Sequence, residues 1–226
     1  RFSNNFSIKV SGGRTHQYLN RFSNDLITNG SKFVWLIPNN FMKPMSSLQK
    51  NFGVEYNSPD IFISLDMYNK ILNNVSDFSQ LVFPVDTYSK ITSNLIFQGD
   101  GQANGVEIFL RKKNGLLRGW ASYSYGITQC KFPELNGGEV FPADHDRTHE
   151  LKSTLIGSIR KWTLSVTGII SSGRVYTPND NLMIRQNENA NYTLQAEPGT
   201  RNSKRLPYVQ RIDLSLNRSM NFMEKK

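Results

Sequence analysis

Long and short connections alternate along this chain, and that alternation constrains the fold more than any other feature of the sequence. Period-two stretches, the mark of strands with one apolar face, recur throughout. Phe6, Ile8 and Val10 alternate with Ser7, Lys9 and Ser11, and Phe52, Val54 and Tyr56 with Gly53, Glu55 and Asn57. Ile61 to Met67, Val106 to Leu110, Ala121 to Ile127, Leu151 to Ile159, Trp162 to Ile170 and Tyr208 to Leu216 repeat the pattern. The sum is about eight candidate strands, most of roughly 10–15 residues, against about 5–6 for a globular strand and about 9–11 for one tilted across a membrane. Ser58-Pro59-Asp60, Asn114-Gly115 and Arg160-Lys161 are tight links, whereas Asn20 to Ser46, Asp77 to Asp100, Lys131 to Asp146 and Thr177 to Lys204 are long ones. An antiparallel barrel inserted from one side has tight turns at one rim and long loops at the other. A soluble sandwich has no physical reason to sort its loops by end.

The predicted fold is therefore all-β, an antiparallel transmembrane β-barrel present as a partial barrel of about eight strands. Asn114-Gly115 predicts a type I′ hairpin, in which both central residues take positive φ. Lys9, Glu55, Asp66, Lys152, Arg211 and Asp213 point away from the apolar stripe, toward a wet lumen or a plug. No apolar run reaches the roughly 18–20 residues of a membrane helix. Aromatics at 12% argue against disorder. The net charge of +9 invites a nucleic-acid reading, but Lys and Arg are scattered and form no basic helix, so no nucleic-acid partner is expected. The single cysteine, Cys130, has no internal partner for a disulfide.

Candidate sites are sparse. His145-Asp146-Arg147-Thr148-His149 imitates a zinc-protease motif, but that motif needs a helix. On a strand the two histidines would lie about 13 Å apart, too far to share one Zn²⁺. A polar network pinning a loop to a strand end is the better reading, and no metal site is expected. Gly99-Asp100-Gly101 and Gly105 lack the Lys-Ser/Thr of a phosphate loop; they suit relief of crowding in a strand. Trp162 and Tyr208 suit an aromatic girdle at the membrane interfaces. Phe78, Phe83, Tyr88 and Phe97 are as well suited to packing their loop as to touching a solute. Trp35, Arg174 and Tyr176, in or beside the long loops, are the ligand-contact candidates. No catalytic constellation and no cofactor are expected.

Several stretches carry a family resemblance. Gly12-Gly13-Arg14-Thr15-His16-Gln17-Tyr18-Leu19 is followed by Trp35-Leu36-Ile37-Pro38 and Lys43-Pro44. Then come Asp66-Met67-Tyr68-Asn69-Lys70, the glycine-spaced run Gly99 to Glu107, Arg111 to Gly115, and Gly119-Trp120-Ala121-Ser122-Tyr123-Ser124-Tyr125. Phe141 to His149, Ser172 to Pro178 and Arg205 to Asp213 complete the set. In this order and spacing, from about Ser11 to Ser219, the chain resembles the barrel of TonB-dependent receptors, especially the Bacteroidetes type. The resemblance implies a plug-filled barrel in the outer membrane of a Gram-negative bacterium, contact with lipid, and TonB-coupled uptake of a large or scarce solute. Residues 1–226 then read as a single barrel segment, with the plug, the TonB-contacting region, the first strands and the final strands lying outside it. The ending Met223-Glu224-Lys225-Lys226 lacks a terminal barrel aromatic. Such a segment, with two open edges, is expected neither to transport nor to fold well alone, which liposome transport by the isolated chain would contradict. A passive porin and a soluble carbohydrate-binding β-sandwich are the alternative readings.

Overall fold

The computed structural model describes residues 5–23, 33–40, 42–78, 96–186 and 192–220. In chain order the strands are β1 (Phe6–Gln17), β2 (Asn20–Ser23), β3 (Phe33–Leu36), β4 (Met45–Asn57), β5 (Ile61–Phe78), β6 (Ile96–Lys112), β7 (Leu117–Lys131) and β8 (Phe141–Pro142). They continue as β9 (His149–Ile159), β10 (Trp162–Ser171), β11 (Val175–Tyr176), β12 (Asn179–Gln186), β13 (Tyr192–Pro198), β14 (Lys204–Arg205) and β15 (Val209–Arg218). One sheet dominates, in the order β1-β4-β5-β6-β7-β9-β10-β15, with β8 added to β7. Each neighbouring pair on this path is antiparallel. The result is an open, unclosed wall of strands, each joined to the next along the chain.

The connections sort by end as the sequence predicts. Asn57 to Ile61, Lys112 to Leu117 and Ile159 to Trp162 are the tight turns at one rim. The opposite rim carries the long excursions, which contain the hairpins β2–β3 and β12–β13 and the short pair β11–β14. One turn departs from expectation. Gly115 takes φ 103°, but Asn114 is not among the residues with positive φ, so the β6–β7 link is no type I′ hairpin. The Asn114 side chain instead donates through Nδ2 to the Pro59 carbonyl at 3.0 Å and to Asp60 Oδ1 at 3.2 Å, stitching two adjacent turns together. In the two-residue turn between β9 and β10, Arg160 supplies the positive φ, at 54°.

The sheet buries neither face against a second sheet among the described residues. Ile212 and Leu214 are 74% and 73% exposed, and Phe52, Ile63, Met67, Ile108, Leu155 and Leu164 are exposed with them. The buried apolar cluster lies elsewhere, at the long-loop end of β7: Cys130, Phe132, Leu135, Phe141 and Ala143, with Val75 and Phe97 packed on it. Greasy side chains thus cover one face of the wall with no described residue over them, which is how a barrel meets lipid and not how a sandwich forms its core.

The apolar band also runs at a slant. Following the register from Ile8 leads through Val54, Leu65, Ile108, Tyr123, Leu151 and Ile170, and ends on Gln210, beyond the apolar run of β15. A row of paired residues is perpendicular to the strands. A band at constant membrane depth must therefore cross such rows obliquely when the strands are tilted, and this one does.

On the other face two glycines make room for one ring. A Cβ on Gly105 would lie 2.5 Å from the Tyr68 ring, and one on Gly126 would lie 2.8 Å from its hydroxyl oxygen. The ring thus lies flat across two bare strand positions on β6 and β7, in register with it. Gly105→Val is expected to lift Tyr68 off the wall and cost about 1–3 kcal/mol by overpacking. Urea unfolding of the membrane-inserted receptor, with Tyr68→Ala/Gly105→Val as the relieving double variant, measures it.

Candidate functional site

Alternation places the polar residues of the wall on the face opposite the apolar band. Lys9 and Glu55 form an ion pair across β1 and β4. Lys152 pairs with Glu150 at 2.6 Å and Arg211 with Asp213 at 2.8 Å. All three pairs are partly solvated, so each adds little stability, and their main effect is a wet, charge-balanced surface. A recess of about 460 Å³ opens there, lined among others by Lys9, Asn51, Asp66, Tyr68, Lys70 and Glu107. Lys70 Nζ stands 5.4 Å from the centre of the Tyr68 ring, a cation–π approach. Asn51 Nδ2 donates to Ser11 Oγ at 3.1 Å and Gln49 Nε2 to Asn51 Oδ1 at 2.9 Å. Such a surface offers amines, carboxylates and amides to a polar partner. Nearer the tight-turn rim, Phe109 packs against Phe62 and Trp120, with ring centres 6.0 Å apart in each pair.

The long-loop rim is knitted by a second network. Asp146, 3% exposed, accepts from Thr128 N–H at 2.7 Å and from the Thr148 hydroxyl at 3.3 Å, and pairs with Arg205 Nη2 at 2.6 Å. Arg205 Nη1 also donates to the Gly173 carbonyl at 2.8 Å and the Asp146 carbonyl at 3.2 Å. Beside it, Arg201 Nη2 reaches Asp77 at 2.7 Å and Asp144 at 3.5 Å. The buried Asn202 donates through Nδ2 to Asp144 Oδ1 at 2.7 Å and the Pro142 carbonyl at 2.8 Å. The excursion after β7, the excursion after β10 and the end of β5 are therefore held as one unit by charge-assisted bonds, which are stronger than neutral ones.

This is the polar network the histidine motif suggests. His145 lies in a turn, and only His149 is on a strand, β9. His149 Nδ1 is 2.8 Å from the Tyr123 hydroxyl, and its ring lies 5.2 Å from that of Tyr125. Arg201, Asn202 and Arg205 are partners that sequence reasoning did not pick out. They stand more than fifty residues from the carboxylates they bind, and no local pattern announces them.

The ligand-contact candidates fall into two groups. Trp35, exposed, is on β3 in the first long excursion. Arg174 and Tyr176 lie together, exposed, at β11 in the last, where the Arg174 carbonyl accepts from Leu206 N–H at 2.9 Å. No hydrogen bond, ion pair or ring contact joins Trp35 to the other two among the described residues. Phe97 is on β6 and not in the long loop expected from the sequence, and it packs on the buried cluster at the end of β7; the Phe78 side chain, Phe83 and Tyr88 lie outside the described residues. Of the girdle candidates, Trp162 starts β10 at the tight-turn rim, with the Arg218 guanidinium 5.3 Å above its ring. Tyr208, exposed, precedes β15 at the other rim. The glycine reading also holds: a Cβ on Gly99 would run into the Lys131 carbonyl and the Phe132 ring.

Cys130 sits beyond the apolar band, in the buried cluster, and burial pushes its thiol up to about 11, with Asp77 and Asp144 adding to the rise. Only the thiolate reacts readily. Maleimide labelling at pH 7.5 is therefore expected to be negligible in the folded protein and complete after denaturation, as mass spectrometry would show.

A family model described as "TonB dependent receptor-like, beta-barrel" matches residues 1–222. No curated protein matches the chain.

Proposed function

The chain belongs to the family of TonB-dependent receptors, transporters of the Gram-negative outer membrane, as β-barrel, and on that premise we propose that it is part of the wall of a barrel that actively takes up a large or scarce solute. One observation carries this reading: a single antiparallel layer with an exposed apolar face, a polar opposite face and long excursions gathered at one rim. Lipid covers the apolar face. The recess at Tyr68 and Lys70 faces the lumen, where it meets a plug or the passing solute. Trp35, Arg174 and Tyr176, on the outer excursions, make the first contacts with that solute. Energy comes from the TonB complex in the periplasm, through a plug region.

Uptake by cells expressing the full receptor tests the proposal, using a ferric siderophore, cobalamin, a glycan and a peptide as probes. At least one is expected to accumulate, and accumulation is expected to stop when TonB is depleted or the proton gradient collapsed. Uptake that persists without TonB would make the barrel a passive porin. Recovery of the protein in the detergent-free aqueous fraction would make it a soluble binding protein. For the accumulated probe, Trp35→Ala and Tyr176→Ala are each expected to weaken binding about tenfold, typical of aromatic contact residues.

A further inference from the structure

We propose that the lipid-facing side of β1 and β4 carries a binding site for the phosphate of a phosphorylated glycolipid in the outer leaflet, formed by Arg14 and Lys50. The inference rests on the reading above, in which the apolar face meets lipid and the long excursions face outward. Arg14 shares the face of Ile8 and Val10, four residues beyond Val10, and Lys50 shares the face of Phe52. Lys50 is paired in register with Gly12, and Arg14 with Leu48, so the two cations are diagonal neighbours on adjacent strands. Residues so placed are about 7–8 Å apart, within joint reach of one phosphate for long side chains. Gly12, between them, presents bare backbone.

Three further observations single out this pair. Both side chains are exposed, and neither has an ion-pair or hydrogen-bond partner among the described residues. The same face of β1, β4 and β5 carries no carboxylate along its described length: Glu55 and Asp66 point to the other side, and Glu55 is held by Lys9. The surroundings are mixed: the row of Gly12, Lys50, Asn69 and Asn104 is polar, with Asn69 Nδ2 donating to Asn104 Oδ1 at 2.6 Å, whereas the row of Arg14 carries the exposed Leu48 and Ile71. His16, stacked on Tyr18 at 6.3 Å, lies one position further out on the same face. Two cations without a partner among the described residues, on the side of the band toward the long-loop rim, reach the phosphates of the leaflet, because long basic side chains extend past apolar neighbours to such groups.

The full receptor, purified from outer membranes in neutral detergent, is titrated by native mass spectrometry with three probes: bisphosphorylated lipid A, the same lipid dephosphorylated, and phosphatidylglycerol. Wild type is expected to prefer bisphosphorylated lipid A. Arg14→Gln/Lys50→Gln is expected to bind it at least tenfold more weakly, at about one phosphate contact per cation. Lys112→Gln/Arg218→Gln, at the tight-turn rim of the same face, is expected to bind like wild type. The charge-keeping pair Arg14→Lys/Lys50→Arg is expected to bind within about threefold of wild type, and it keeps the test valid should the neutral pair fail to fold. Undiminished binding by the neutral pair, loss of binding in the charge-keeping pair, equal binding of the dephosphorylated lipid, or equal preference for phosphatidylglycerol would overturn the site. A wild-type receptor missing from the outer-membrane fraction would instead remove the premise beneath it.

Discussion

Ile108→Arg is expected to cost about 2–4 kcal/mol of barrel stability in a bilayer, the penalty for a cation at mid-depth on a lipid face. Ile108 lies within the apolar band, between Leu65 and Tyr123 in register. Its neighbour in the design is Ser124→Arg, a step away on β7 but on the opposite face. There the new guanidinium would stand in register between Glu107 and Glu150, and no loss beyond about 1 kcal/mol is expected. Urea unfolding of the full receptor in phospholipid vesicles measures both. Equal costs, or a larger cost for Ser124→Arg, would mean that the faces are assigned the wrong way round.

Asp146→Ala is expected to loosen the long-loop rim by about 3 kcal/mol, because it strands the Thr128 N–H and the Arg205 guanidinium together. The effect is local. Hydrogen exchange is expected to accelerate at Thr128, in the 132–148 segment and around Arg205, while amides of β4 and β5 keep their protection. Asp146→Asn retains an acceptor for Thr128 and is expected to lose about half as much. Arg205→Ala combined with Asp146→Ala completes a double-mutant cycle. Additive costs would show that the two residues do not act as a pair and that the two excursions are held by other contacts.

The wall was legible in the sequence because its physics is local. Alternation at Phe6, Ile8 and Val10, or at Ile61 to Met67, states which face each residue occupies, and the tight links fix which strands pair. The strand ends were less legible. β5 continues to Phe78 through a register shift between Leu72 and Val75, where Asn74 takes φ 57°. Such a shift exchanges the faces and breaks the alternation that would have revealed the continuation. Asn114-Gly115 marked the β6–β7 hairpin but not its turn type, and the Asn114 side chain bonds to the adjacent turn, which dipeptide preference does not see. The rim network was half legible. The polar role of Asp146 showed in the sequence around it, whereas Arg201 and Arg205 meet their partners only after the chain has returned through β9 and β10.

Each strand of the wall pairs with its neighbour along the chain, and every long excursion leaves from the same rim. Lengthening such an excursion raises the closure entropy by only about 0.6 kcal/mol per doubling, and it leaves the pairing between the long strands of the wall undisturbed. Insertions at the tight turns enjoy no such freedom, since Ser58, Asn114 and Lys113 bond across that rim. Evolution can therefore rewrite what the outward-facing end greets while the span beneath it stays unaltered, and divergence among relatives should accumulate at one rim only.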